Sequence, residues 1–181
     1  METATLAGGC FWCTEAIFKR LRGVTQVIPG YTGGTKPNPS YEEVCTGNTG
    51  HAEAVQITFD PLGIQYTQLL DVFFHLHDPT TVNQQGNDVG TQYRSAIFYH
   101  SDQQKQEAEE VIKTINRDHM YESPIVTEIV PFNGFYPAEE HHKNYYEKNS
   151  FLPYCQYVID PKISKLMKGY VLLVKDEAKQ L

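Results

Sequence analysis

The sequence predicts an α+β fold: one catalytic domain over residues 1–181, with a mixed sheet and helices packed mainly on one face. This is a two-layer, ferredoxin-like core with long loops and an irregular C-terminal region. Three observations carry the prediction. Strand and helix patterns are interleaved along the whole chain, with no repeat and no linker. Residues Ala52–Phe59 alternate cleanly, Val55, Ile57 and Phe59 facing one way and Gln56 and Thr58 the other. Residues Thr67–His77 place Leu69, Leu70, Phe73, Phe74 and Leu76 at helical spacing, and Asp78-Pro79 stops them.

The remaining elements follow in order. Thr3–Ala7 reads as a strand ended by Gly8-Gly9. A helix follows over 11–22, with Ile17, Phe18 and Leu21 on one face and Gly23 as its stop. Val24–Tyr31 reads as a strand and 32–39 as a turn-rich loop. Ser40-Tyr41-Glu42-Glu43 has the form of a capping box opening a short helical turn. Residues 79–94 form a long polar loop, a length that marks functional segments. Ser95–His100 reads as a strand. Ser101–Gln104 reads as a second capping box opening a helix to Arg117. Residues 125–130 read as a strand, 137–148 as a polar helix and 160–170 as a last short helix. The tail 175–181 is charged, and is expected to be mobile.

With 181 residues, 40% hydrophobic and 20% charged, the chain has the composition of an ordinary globular protein. Its net charge of −7 comes without any basic cluster, which argues against a nucleic-acid partner. No segment is long and apolar enough to span a membrane, and the first residues lack the pattern of a signal peptide. The expectation is a cytoplasmic monomer.

Gly-Gly-Cys-Phe-Trp-Cys at 8–13 is the stretch richest in chemistry. A cysteine at the start of a helix sits at its positive end, where a thiolate is favoured, so Cys10 reads as a nucleophile of lowered pKa. Phe11 and Trp12 would flank that sulfur with an apolar recess. Cys13, three residues on, is either a disulfide partner for Cys10 or a small hydrophobe on the inner helix face. Cys155, in Leu-Pro-Tyr-Cys-Gln-Tyr, falls in a late segment expected to be exposed and is either a mobile resolving thiol or a packed cysteine, and Cys45 reads as a structural one. Glu53, at an element end near glycine, reads from its residue context alone as an ordinary surface glutamate, and becomes a proton donor only if buried beside aromatics. Tyr41 and Tyr93 are candidate hydroxyl donors, and Asp88 a candidate for recognising a backbone or a cation. Cys10, Cys13 and His142, with His141 beside it, admit a zinc site only with an unfamiliar spacing. A plain thiol–disulfide oxidoreductase built on Cys10 and Cys13 would lack a preceding βαβ pattern and would have no use for Glu53.

Seven ordered motifs make the chain resemble the A-type peptide methionine sulfoxide reductases. They are Gly-Cys-Phe-Trp at 9–12, Gly-Tyr-Thr-Gly-Gly at 30–34, Tyr-Glu-Glu-Val-Cys at 41–45 and Gly-His-Ala-Glu-Ala-Val at 50–55. His-Asp-Pro-Thr-Thr at 77–81, Gly-Thr-Gln-Tyr-Arg-Ser at 90–95 and Ala-Glu-Glu at 138–140 complete the set. The resemblance implies reduction of methionine S-sulfoxide, free or in proteins, without a cofactor or a metal. It implies Cys10 as the nucleophile, Phe11 and Trp12 around the substrate methyl, and Glu53 as the acid on the sulfoxide oxygen. Tyr41 and Tyr93 would hold that oxygen and Asp88 would touch substrate. The resulting sulfenic acid would pass to an intramolecular disulfide, with thioredoxin or a similar dithiol as the final reductant. The chain departs from the common pattern at Cys13, and the surroundings of Cys155 are not glycine-rich, so both cysteines are candidates for the resolving thiol.

Overall fold

The sheet is built around β1 (Glu2–Gly8), whose residues from Ala4 onward are all buried. A computed structural model describes residues 1–180. After β1 come α1 (Phe11–Phe18), β2 (Val24–Thr32), α2 (Tyr41–Cys45), β3 (Ala52–Phe59) and α3 (Tyr66–Leu76). A two-residue hairpin of β4 (Gln84–Gln85) and β5 (Asp88–Val89) leads through a 3₁₀ turn at Thr91–Tyr93 into β6 (Ser95–Tyr99). Then follow α4 (Asp102–Arg117), β7 (Glu128–Pro131), β8 (Tyr136–Pro137), α5 (Tyr145–Asn149), a π-helical turn at Cys155–Ile159 and α6 (Asp160–Gly169).

The six-stranded sheet has the order β7-β6-β1-β3-β2-β8, with every neighbouring pair antiparallel except β6–β7. Within it, β1-α1-β2 and β3-α3-β6 are two split β-α-β units, which is the expected ferredoxin-like core. Alternation decides the two faces. Ala4, Leu6, Val55, Ile57, Phe59 and Ile97 pack against Ile17 and Phe18 of α1 and Leu69, Leu70 and Phe73 of α3. The opposite face carries Ala7, Ala52, Ala54, Ala96 and Phe98, covered by Val130, Phe132 and Phe135. Small alanines there let an irregular segment, in place of helices, lie close to the sheet.

The structure corrects several boundaries. Helix α1 ends at Phe18, four residues early, because the chain at Leu21 pairs with Val174 and Arg22 N–H donates to Leu173 O at 2.7 Å. The 79–94 loop contains the β4–β5 hairpin, turned by Gly86 at φ +58°. The expected helix over 137–148 is broken: Pro137 belongs to β8, Glu140–His142 is a 3₁₀ turn, and Asn144 takes the left-handed conformation at φ 54° before α5. The buried Glu15 carboxylate accepts the Asn144 N–H through both oxygens (2.9 and 3.0 Å) and holds that break. At the second capping box only half the reciprocity exists. Ser101 Oγ accepts the Gln104 N–H, but the Gln104 side chain serves His100 N–H and Thr3 O. In the tail, Lys175 N–H donates to Arg20 O at 2.9 Å and a 3₁₀ turn follows over Asp176–Gln180; Leu181 lies outside the described residues.

The first capping box is complete: Ser40 Oγ accepts the Glu43 N–H at 3.3 Å and Glu43 Oε2 accepts the Ser40 N–H at 2.9 Å. It starts the short helix that carries Tyr41. Ser40→Ala is expected to lower stability by about 1 kcal/mol in urea unfolding. An unchanged midpoint would show that α2 is held by packing alone.

Candidate active site

Gly8 and Gly9 end β1 and release the chain into α1. Gly9 has φ +91°, and a Cβ there would come within 2.6 Å of the Gln85 side chain, so the β4 strand closes over a residue that must be glycine. Cys10 is the N-cap of α1, and its carbonyl accepts the N–H groups of Cys13 and Thr14. Cap and third helical position then share one side, which packs the Cys10 and Cys13 thiols in one cluster. Burial acts on the two unequally. It pushes Cys10, 7% exposed, well above the ordinary thiol range, assisted by Cys13 and by Glu53 nearby. Cys13 is lowered to about 7 by the neighbouring Cys10 thiol, with help from the Lys162 ammonium. The lowered Cys10 pKa expected from the helix N-terminus is therefore reversed: desolvation outweighs a favourable end-of-helix field.

Glu53 lies on β3, opposite Tyr31 of β2, and is 1% exposed. Its Oε2 accepts the Phe11 N–H at 3.0 Å, one of the free donors at the start of α1. Its Oε1 is buried and has no hydrogen-bond partner among the described residues. Burial pushes this carboxyl up to about 8 despite the Phe11 bond. It is a neutral acid with one unengaged oxygen. The half-buried hydroxyls of Tyr41 and Tyr93 share its surroundings, and burial followed by the Glu53 charge pushes both upward. Both hydroxyls thus stay protonated donors. Tyr41 is fixed through its N–H, which donates to Glu139 Oε1 at 2.8 Å, while Tyr31 Oη donates to Glu139 Oε2 at 2.8 Å. Tyr93 ends a 3₁₀ turn anchored by Gln92 Nε2 to Cys45 O. Cys45, expected to be packed, is exposed.

The aromatic side of the site is layered. Trp12 is half-buried and stacks on Tyr145 with ring centroids 3.7 Å apart; its indole N–H donates to His142 Nδ1 at 3.2 Å. That bond engages the Nδ1 lone pair a zinc ion would need, and no group of three metal-ligating side chains exists among the described residues. Phe11 is fully buried against Tyr31, Tyr41 and His142, so it backs the site while Trp12 faces outward. Asp88 accepts the Tyr154 hydroxyl at 2.8 Å, and the same hydroxyl lies 3.8 Å from Cys13 Sγ. Cys155 is fully buried and packs in one cluster with Cys10 and Cys13, which overturns its expected exposure. A cavity of about 300 Å³ opens here, lined by Cys10, Cys13, Asp88, Tyr154 and Lys162 among others.

The profile of the peptide methionine sulfoxide reductase family matches residues 2–172. The chain belongs to that family. A "Peptide methionine sulfoxide reductase MsrA" of Sulfolobus acidocaldarius is 61% identical over 170 residues, covering 94% of this chain and 96% of the relative. Among solved structures, methionine sulfoxide reductase A of Corynebacterium diphtheriae superposes with a TM-score of 0.80 at 38% identity, over 86% of this chain and 78% of that one. Mxr1 of Saccharomyces cerevisiae in complex with Trx2 matches with a TM-score of 0.55 at 29% identity, over 78% and 83% of the two chains. As a member of this reductase family the chain is an oxidoreductase, and its fold is that of the solved members.

All the expected site residues meet in this region. Sequence reading missed Tyr145, Tyr154 and Lys162, and gave Glu139, which stands in the Ala-Glu-Glu motif, no role of its own. The available signal was the density of tyrosines at 145–157, which outnumber what a short surface segment needs. Glu53 also makes a prediction about stability. Its folded pKa of about 8 lies above its ordinary 4.5, so the folded chain binds more protons than the unfolded one between those values. Stability therefore falls as pH rises from 4.5 to about 8 and is level beyond. Glu53→Gln removes this loss. Its stability relative to the unmodified protein is expected to improve by roughly 2–5 kcal/mol between acid and alkaline pH. Thermal unfolding at both ends checks it; a difference that does not change with pH would mean that Glu53 is ionised in the fold.

Proposed function

We propose that the protein reduces methionine S-sulfoxide, free or within oxidised proteins, to methionine, as a repair of oxidative damage. The observation that carries this reading is the unengaged Oε1 of a buried, neutral Glu53 beside the Cys10 thiol. A sulfoxide oxygen leaves only when protonated, and this carboxyl holds its proton at neutral pH. A plain disulfide oxidoreductase has no use for such an acid.

In the proposed reaction Cys10 Sγ attacks the sulfoxide sulfur while its proton passes to Cys13, the neighbouring thiol of lowered pKa. Glu53 protonates the oxygen, and the Tyr41 and Tyr93 hydroxyls hold it. Trp12, braced by Tyr145 and His142 and backed by Phe11, accommodates the methyl group. Asp88, in the cavity wall, contacts the substrate main chain. Oxygen donors on one side and an apolar wall on the other select one epimer. The substrate S–O bond breaks as the hydroxyl passes to Cys10 sulfur, the transient Cys10–substrate S–S bond breaks, methionine leaves, and Cys10 is left as a sulfenic acid while solvent reprotonates Glu53.

Cys13 then attacks Cys10 sulfur, releasing water and forming the first disulfide; its contact with Cys10 supports this order. Cys155, packed in the same cluster, is next in line. Its attack on Cys13 frees Cys10 and leaves a Cys13–Cys155 disulfide. An external dithiol restores both thiols, and thioredoxin or a similar protein fits that role, as the Mxr1–Trx2 complex supports. Four free cysteines suit a reducing, cytoplasmic setting, and the proposed enzyme works as a monomer.

Cys10→Ser is expected to abolish methionine formation; retained turnover would overturn the mechanism. Glu53→Gln is expected to slow the first turnover at least 100-fold with little effect on substrate affinity. Rapid-quench single turnovers at several substrate concentrations check it, and an unchanged first turnover would remove Glu53 from proton donation.

A further inference from the structure

Helix α6 lies in the part of the chain that carries none of the seven motifs, yet it delivers a cation to the thiols. Asp160-Pro161 starts the helix in register with the π-helical turn of Cys155–Ile159, and this phase turns Lys162 toward α1. Lys162 is half-buried. It lines the cavity of Cys10, Cys13, Asp88 and Tyr154, and it also borders the apolar gap between α1 and α3 beside Phe18, Phe73 and Leu76. It has neither a hydrogen bond nor an ion pair with any described residue. An ammonium in the cavity wall without a fixed counter-charge favours an anion that forms beside it.

We propose that Lys162 is a positioning residue for the resolving step: its unpaired ammonium, facing the cavity that holds both thiols, stabilises the Cys13 thiolate that attacks oxidised Cys10. The proposal rests on the reading above that Cys13 is the resolving thiol. The groups around Cys13 leave Lys162 as the cation suited to this task. From the other elements packed here come Cys10 at the start of α1, Glu53 of β3, Asp88 of β5, and Tyr154 and Cys155 of the segment before α6. All of these are acids or neutral donors. His77, at the end of α3, also faces Lys162, and burial keeps it uncharged by pushing it down to about 4. The Lys162 charge favours the Cys13 thiolate, in the direction the site already shows. Cys13, protonated in the first step, gives its proton to solvent; its thiolate then forms the S–S bond, the Cys10 S–O bond breaks, and the hydroxide leaves as water with a proton from solvent.

The test is a rapid-quench single turnover of the reduced enzyme with methionine sulfoxide across the neutral pH range. Methionine and the Cys10–Cys13 disulfide are counted separately, in the unmodified protein, Lys162→Gln and Lys162→Arg. For Lys162→Gln the midpoint of the disulfide-formation profile is expected to rise by about one pH unit. Its plateau at high pH is expected to rise by about threefold, because a more basic thiolate is the better nucleophile. Lys162→Arg restores the charge and is expected to return both values toward those of the unmodified protein. The methionine burst counts folded, competent sites, so a loss of folding is separated from a loss of resolution. A midpoint that does not move in Lys162→Gln, or that moves equally in Lys162→Arg, overturns the proposal. Cys13→Ser is run in parallel. If it still yields an internal disulfide at the normal rate, Cys13 is not the resolving thiol, and the reading beneath the proposal fails independently of Lys162.

Discussion

The hydrogen bond from Phe11 N–H to Glu53 Oε2 is the contact on which the rest of the site depends. It joins the first turn of α1 to the middle of the sheet, so the helix that begins with Cys10 and the strand that carries the acid cannot move apart. It also sets the state of Glu53. One oxygen is satisfied by a backbone donor, the other is left bare, and the charges that act on the carboxyl, those of Asp88 and Cys13, are negative. Desolvation then decides in favour of the protonated acid.

The arrangement stores protons where the proposed reaction needs them. Glu53 and Cys10 are both held protonated by burial, and the charge of the thiol pair rests on Cys13. Each of these states costs folding energy. A buried neutral acid, a buried thiol pair and an unpaired lysine together form a region that the apolar core has to support. That core is large for the chain length, with both sheet faces covered and the fully buried Leu6, Val55, Ile57 and Ile97 beneath the helices. Glu139 shows the same economy on a smaller scale. One carboxylate accepts from the Tyr31 hydroxyl and the Tyr41 N–H, tying the first turn of α2 to the sheet edge beside the acid.

Much of this was legible in the sequence because period and punctuation are local. The alternation of Ala52–Phe59 and the apolar spacing of Leu69, Leu70, Phe73, Phe74 and Leu76 name β3 and α3 directly. The Ser40–Glu43 pair names the start of α2. What was not legible depends on distant partners. Residues 137–148 have a helical composition, but Glu139 is drawn to Tyr31 and Tyr41, and Asn144 is drawn to Glu15, and these long-range bonds override propensity. The direction of the Cys10 pKa follows from burial depth, which a helix start in a sequence does not disclose. Cys155 looked exposed beside Pro153 and Gln156, and only the packing of the π-helical turn against α1 buries it. Tyr145, Tyr154 and Lys162 reach the thiols from more than a hundred residues away, with no motif to announce them.

The central claim is that Glu53 is a neutral acid at physiological pH, and its titration tests this most directly. With the glutamate side-chain carboxyl carbons labelled with carbon-13, the Glu53 resonance can be followed by NMR from acid to alkaline pH in the reduced enzyme. The account predicts that this carboxyl titrates near 8. A Glu53 resonance already in its ionised position at about pH 6 would contradict it, since a carboxylate there has no proton to give the sulfoxide oxygen.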